Sequence, residues 1–241
     1  MSVSITPVEG LPEIREGDDL AEMVAGRVAF EDGDVLVVAQ KVVSKAEGRV
    51  VRLADVEPSE EAMSLAAESD PRQLEVILRE TARIVRARPP LVIAETRHGF
   101  VCASAGVDAS NAPEPGTVVL LPQDPDASAA RLRDRLREQT GAEVGVIVSD
   151  SFGRPWRQGT TDVAIGVAGI EPLLDLKGLR DSTGYELHAT VIAVADELAS
   201  AAELVMGKTA GVAAAVIRGV GARGEGSARE LVMPPDRDLF R

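Results

Sequence analysis

Ser149-Asp150-Ser151 closes an apolar run over residues 144–148. A carboxylate followed by a hydroxyl at the end of a buried strand supplies the oxygen donors that a hard cation prefers. The next eight residues, Phe152-Gly153-Arg154-Pro155-Trp156-Arg157-Gln158-Gly159, carry two arginines, two glycines and the only tryptophan. Arginine offers a planar fork to phosphate or carboxylate oxygens, and glycine lets the backbone approach a ligand closely. A solvated surface loop is the plainer reading, but the concentration of ligand-type residues favours a site. A second acid stands in Val107-Asp108-Ala109-Ser110-Asn111, a stretch that taken alone favours a loop of Asx turns. Gln40-Lys41-Val42-Val43-Ser44-Lys45 holds two of the four lysines, either solvated at a strand end or set against phosphate. Acids, arginines and lysines gathered in an acidic protein suit phosphoryl transfer, in which cations neutralise the triphosphate and positioning supplies most of the rate.

Regular elements must deliver these residues. Residues 35–43, apolar and β-branched after the Asp32-Gly33 turn, read as one buried strand ending in the lysine segment. Ser59 before Glu60 and Glu61 starts a helix. Asp70-Pro71 starts another, with Leu74, Ile77, Leu78, Thr81, Ile84 and Val85 on one face and Pro89-Pro90 at its end. Strands follow at 91–96 and 100–106 around Arg97-His98-Gly99, then a polar loop at 108–116 and a strand at 117–121. A helix at about 128–140 stops at Gly141, a left-handed cap position. The strand at 144–148 leads into a long cationic loop, 152–161, and a small-residue strand, 163–170. A helix over 190–206 buries Val191, Val194, Ala195, Leu198, Ala202 and Val205, and a strand at 211–218 precedes a glycine-rich tail. Hairpins and helices do not alternate regularly, so the class is α+β, with mixed or antiparallel sheets and packed helices.

The 241 residues are ample for a packed core, read as one unit or as two closely packed subdomains. A net charge of -13 and 2% aromatics argue against nucleic acid and anionic lipid as partners, and no run is long and apolar enough to span a membrane. The start, MSVSITPVEG, lacks the pattern of a signal peptide, and the single Cys102 fits a reducing cytoplasm. With only His98 and His188 available, any metal is expected to be a hard, oxygen-bound one. Gly219, Gly221 and Gly224 match GxGxxG, but no helix and second strand follow, so the fold is not Rossmann. Gly207-Lys208-Thr209 resembles the end of a P-loop, yet Ala202 stands where its first glycine belongs and a helix precedes it.

Six strings in order carry a resemblance: residues 8–14 with 17–20, Lys41 to Gly48, Ala105 to Asn111, Leu121-Pro122 to Ser128, Asp150-Ser151 to Gly159, and Ala195 to Gly207. The chain resembles the coenzyme F-420:L-glutamate ligase (F-420-0:gamma-glutamyl ligase) family. That resemblance implies a GTP-dependent ligase that adds L-glutamate to a deazaflavin precursor and then further glutamates through gamma linkages. It implies Mg or Mn, assistance by potassium, and an intertwined homodimer. Carried over by position, Asp108, Asp150 and Ser151 would bind the divalent metal, Ser151 standing where the family more often has Thr. Leu11, Pro12, Glu13, Ile14, Gln40, Lys45 and Asn111 would line the GTP site, with Met206, Gly207 and Lys208 closing it; some relatives have Ser in place of Gln40. The expected chemistry runs through an acyl phosphate, with Arg154 and Arg157, chosen for charge and loop position, holding the acidic substrate. Some relatives fuse a reductase-like domain to this one, and a chain of 241 residues is expected to lack it. A phosphotransferase, or a non-enzymatic GTP-binding dimer, would fit the same residues.

Overall fold

The computed structural model describes residues 2–221 and 223–239; Met1, Ala222, Phe240 and Arg241 lie outside the described residues. In chain order the elements are β1 (Ser4–Pro7), α1 (Leu20–Ala25), β2 (Val35–Ala39), α2 (Gln40–Ala46), β3 (Val50–Arg52), α3 (Glu60–Ala66), α4 (Pro71–Glu80), β4 (Thr81–Arg88), β5 (Leu91–Thr96), β6 (Val101–Ala103), β7 (Thr117–Val119), α5 (Pro125–Thr140), β8 (Gly145–Arg154), β9 (Arg157–Ala168), β10 (Leu174–Asp175), β11 (Val191–Ile192), α6 (Val194–Met206) and β12 (Ala214–Arg218). The class is α+β, as expected.

A five-stranded sheet ordered β1-β12-β2-β8-β9 forms the centre; β2 and β8 run parallel and the other pairs antiparallel. Its strands alternate between two covered faces. Leu36, Val38, Val146, Val148 and Val216 face one apolar cluster with Leu20 and Val24 of α1 and Leu132 and Leu136 of α5. Val35, Val37, Ile147, Ala215 and Ile217 face another, with Ala195, Leu198, Ala199, Ala202 and Met206 of α6. Burial on both faces is why the central strands read as unbroken apolar runs rather than alternating ones. A third cluster, including Leu74, Ile77, Val92, Ala94 and Val118, lies among α3, α4 and the smaller sheets β4-β5-β6 and β3-β7. Helix α5 sits directly on β9, because a side chain at Gly166 would run into the backbone of Pro125.

The local start and stop signals act as the sequence implied. Ser59 Oγ accepts from the Ala62 amide at 3.2 Å, and Asp70 Oδ1 from the Arg72 amide at 2.9 Å. Gly141 ends α5 in the left-handed conformation (φ 76°). The helix before it begins earlier than 128, at Pro125, capped by Asp124. Neither glycine segment forms a Rossmann or P-loop unit: Gly207 ends α6, and no α-helix follows Gly219 among the described residues.

Five expectations are corrected. The apolar run 35–43 is not one strand: β2 stops at Ala39 and Gln40 begins α2. Val42 and Val43 are buried on a helix, and a short apolar run does not distinguish the two periods. The helix from Pro71 ends at Glu80, where Thr81 Oγ1 donates to the Ile77 carbonyl at 2.7 Å; Thr81–Arg88 then pairs antiparallel with β5, and Pro89-Pro90 turns that hairpin. Of the strand expected at 100–106, only Val101–Ala103 is extended; Ser104–Gly106 is a 3-10 turn with positive φ at all three residues. The cationic loop 152–161 is instead the outer half of the β8–β9 hairpin, paired from Val146↔Ala168 to Arg154↔Arg157. The helix expected from 190 starts at Val194, because Val191–Ile192 pairs with β10.

Candidate functional site

The parallel pairing of β2 with β8 stops at Ala39↔Ser149, where β2 ends and β8 runs on. There a cleft of about 410 Å³ opens. Its lining comes from the loop Leu11, Pro12, Glu13 and Ile14, from Gln40, Lys41 and Lys45 on α2, and from Ser149, Asp150 and Ser151 on β8. Asp162 on β9, Asn111, Glu203, and Met206 to Thr209 at the end of α6 also line it.

Helical spacing puts Lys41 and Lys45 one turn apart on α2. Lys41 Nζ meets Asp108 Oδ2 at 2.8 Å. Asp108 is brought there by an isolated bridge to Val119, in which the Asp108 amide donates to the Val119 carbonyl at 3.0 Å and the return bond is 2.8 Å. It also makes the Asx turn: its carboxylate accepts from the Ser110 amide at 2.7 Å and the Ser110 hydroxyl at 2.8 Å. The Asx-turn reading of Asp108 is therefore seen directly. Burial raises its pKa, but Lys41 and Ser110 outweigh burial and hold the carboxyl below its ordinary value. Asp150 behaves oppositely: burial, opposed by Lys41 and reinforced by Asp162 and Asp108, pushes it up to about 6. The charge of Lys41 thus bears on both aspartates, remote in sequence.

Lys45, 6% exposed, meets Glu13 Oε1 at 2.5 Å, anchoring the Leu11 to Ile14 loop to α2. Gln40 is 1% exposed; its Oε1 accepts from Ser44 Oγ at 2.9 Å, and among the described residues its Nε2 has no partner. A buried amide donor left unpaired costs about 1–3 kcal/mol, so a cleft residue carrying one is poised for a ligand acceptor. Asn111 occupies a left-handed turn (φ 54°), and Met206, Gly207 and Lys208 follow α6 into the cleft.

The structure thus gathers Leu11, Pro12, Glu13, Ile14, Gln40, Lys45, Asn111, Asp150, Ser151, Met206, Gly207 and Lys208 at one cleft. Asp108 does not line it and joins through Lys41. Arg154 and Arg157 do not line it either: they face each other at the exposed tip of the β8–β9 hairpin, where Arg154 donates to the Gln158 carbonyl at 3.2 Å. Asp162 and Glu203 were missed. Asp162 sits directly opposite Ser151 in the hairpin register, a signal readable only once 152–161 is recognised as paired strands.

Among the described residues no three His, Cys, Asp or Glu side chains converge as a metal-holding group. A divalent ion held by one or two carboxylates, with water and phosphate completing its shell, needs no such group. Asp150 and Ser151, which line the cleft, offer only oxygens and fit that sparse pattern; the Asp108 carboxylate, outside that lining, is engaged by Lys41 and Ser110. Cys102 is buried and carries no disulfide; burial, with the Asp150 charge adding, pushes its thiol up to about 12.

Comparison with known proteins identifies the family. The family model described as F420-0:Gamma-glutamyl ligase matches residues 10–219. A coenzyme F420:L-glutamate ligase of Methanopyrus kandleri is 50% identical over all of this chain and 98% of its own length. Proteins of that name from Methanothermobacter thermautotrophicus and Archaeoglobus fulgidus are 45% and 46% identical over all of this chain and 100% and 97% of their own lengths. The chain is a ligase and belongs to the F420-0:gamma-glutamyl ligase family.

Proposed function

We propose that the chain joins L-glutamate to the F420-0 precursor, using GTP, and then extends the product with further gamma-linked glutamates. The cleft where β2 ends beside β8 carries this reading: it combines carboxylates, three lysines and an unpaired buried amide donor in a chain otherwise strongly negative. Its volume of about 410 Å³ falls within the usual range for small-molecule sites.

A carboxylate oxygen of the precursor attacks the gamma-phosphorus and GDP leaves, giving an acyl phosphate. The glutamate amine attacks the acyl carbon, sheds a proton, and phosphate leaves. Lys41, Lys45 and Lys208 supply positive charge along the cleft. Gln40 Nε2 donates to a nucleotide oxygen, which relieves its unpaired state. Mg or Mn, held by Asp108, Asp150 and Ser151, would supply Lewis-acid neutralisation of the phosphates, and potassium would add to it. Glycine at 207 (φ 57°) lets the chain turn sharply over the nucleotide.

We further propose that the enzyme is a cytoplasmic homodimer and that the β8–β9 hairpin takes part in the interface. Trp156 at its tip is 79% exposed, which suits an interface anchor. In such a dimer Arg154 and Arg157 would serve acidic substrate at a neighbouring cleft.

Mass spectrometry of F420-0 incubated with GTP, Mn2+ and L-glutamate tests the reading. The expected product gains mass in steps of one glutamyl unit with stoichiometric phosphate. A phosphorylated precursor lacking glutamate identifies a phosphotransferase, and GTP binding without phosphate release identifies a regulatory protein.

A further inference from the structure

We propose that Asp162 is a positioning residue that holds the Ser151 hydroxyl with its lone pairs toward the cleft, making it a cation-selective donor. Asp162 is a charged residue only 6% exposed, and a carboxylate buried that far needs strong partners. Its partners are hydroxyls. Ser151 Oγ donates to Oδ1 at 2.6 Å and Ser149 Oγ donates to Oδ2 at 2.9 Å.

Strand geometry explains the arrangement. Ser149 and Ser151 are two apart on β8 and share a face; Asp162 lies directly opposite Ser151 and diagonal to Ser149, within reach of both. Helix α6 pins this part of β9 from behind. Ser200 Oγ donates to the Asp162 carbonyl at 2.8 Å, and Asp196 Oδ1 accepts from the Ala164 amide at 2.9 Å.

The chemical consequence follows from counting hydrogens. An ionised carboxylate only accepts, and a serine hydroxyl has one hydrogen and two lone pairs. Once that hydrogen is committed to Asp162, Ser151, which lines the cleft, has only lone pairs left to offer a ligand. It then attracts a cation and repels a bare phosphate oxygen. Asn at 162 would remove this bias, because its amide can donate to the serine and leave the serine hydrogen free to turn toward the cleft. The inference rests on the reading of Ser151 as a metal ligand, and it assigns Asp162 the outer position that commonly sets a ligand's orientation.

The test measures Mn2+ affinity of the full chain from the spectrum of the free ion by electron paramagnetic resonance, without turnover. Asp162→Asn is expected to weaken Mn2+ binding about 10–100-fold, the range for loss of an outer-shell partner. Ser151→Ala is expected to weaken it similarly, and the double variant no further than Ser151→Ala alone. Thermal unfolding checks that each variant is folded; Asp162→Ser, smaller and uncharged, takes the place of Asp162→Asn if the latter is not. Wild-type Mn2+ affinity in a folded Asp162 variant, with Ser151→Ala impaired, overturns the inference alone. An additive further loss in the double variant also overturns it. Unchanged affinity in Ser151→Ala removes the metal-ligand reading and the inference with it.

Discussion

Replacing Asp150 with Asn is expected to stabilise the protein at neutral pH while abolishing ligation. The magnitude comes from the cleft. Burial, with the charges of Asp162 and Asp108 adding and Lys41 opposing, moves Asp150 from its ordinary 3.8 to about 6. At about 1.36 kcal/mol per pKa unit, ionising Asp150 in the folded state costs up to about 3 kcal/mol more than in the unfolded chain. The side chain is partly open to solvent, so about 1–3 kcal/mol is expected after screening. The sign is definite. Below pH 3.8 the carboxyl is protonated in both states and no cost arises; the cost grows as pH rises and is complete above about 6. Asn, close in shape to the protonated acid, does not ionise. For a chain of this size the gain corresponds to roughly 2–10 °C in Tm at pH 7.5, vanishing near pH 4. The assay is thermal unfolding of both proteins from pH 4 to 8 in chelator, taking the difference so that other carboxylates cancel. A difference that does not vary with pH, or a less stable Asn variant at pH 7.5, refutes the reasoning.

Three further outcomes are expected. Gln40→Met, which removes the unpaired buried amide, should leave the free protein within about 1 kcal/mol of wild type yet weaken GTP binding about tenfold in isothermal titration; unchanged affinity places that donor away from the nucleotide. Gly166→Ala should cost about 1–3 kcal/mol in urea unfolding, because its methyl meets the Pro125 backbone where α5 rests on β9. Trp156→Glu at the hairpin tip should shift the protein from dimer to monomer in sedimentation equilibrium without lowering Tm by more than a few degrees; an unchanged dimer removes the hairpin from the interface.

Much of the cleft was legible because its parts are local and chemically distinctive. Asp150 and Ser151 end a visibly apolar strand, and caps such as Ser59, Asp70 and Gly141 act through hydrogen bonds or backbone conformation within a few residues. The errors fell where local preference was ambiguous. Residues 40–43, with the apolar pair Val42-Val43, suit helix or strand, and Thr81–Arg88 becomes a strand only because β5 lies beside it. Sequence alone determined the α+β class, the family and most cleft residues, since composition, caps and motif strings need no partner to be read. Tertiary structure decided that 152–161 is a hairpin, that Lys41 pairs with Asp108, and that Asp162 accepts from two serines. Those facts depend on strand register and on contacts across 11 to 67 residues of chain, which exist only when the surfaces that make them have come together.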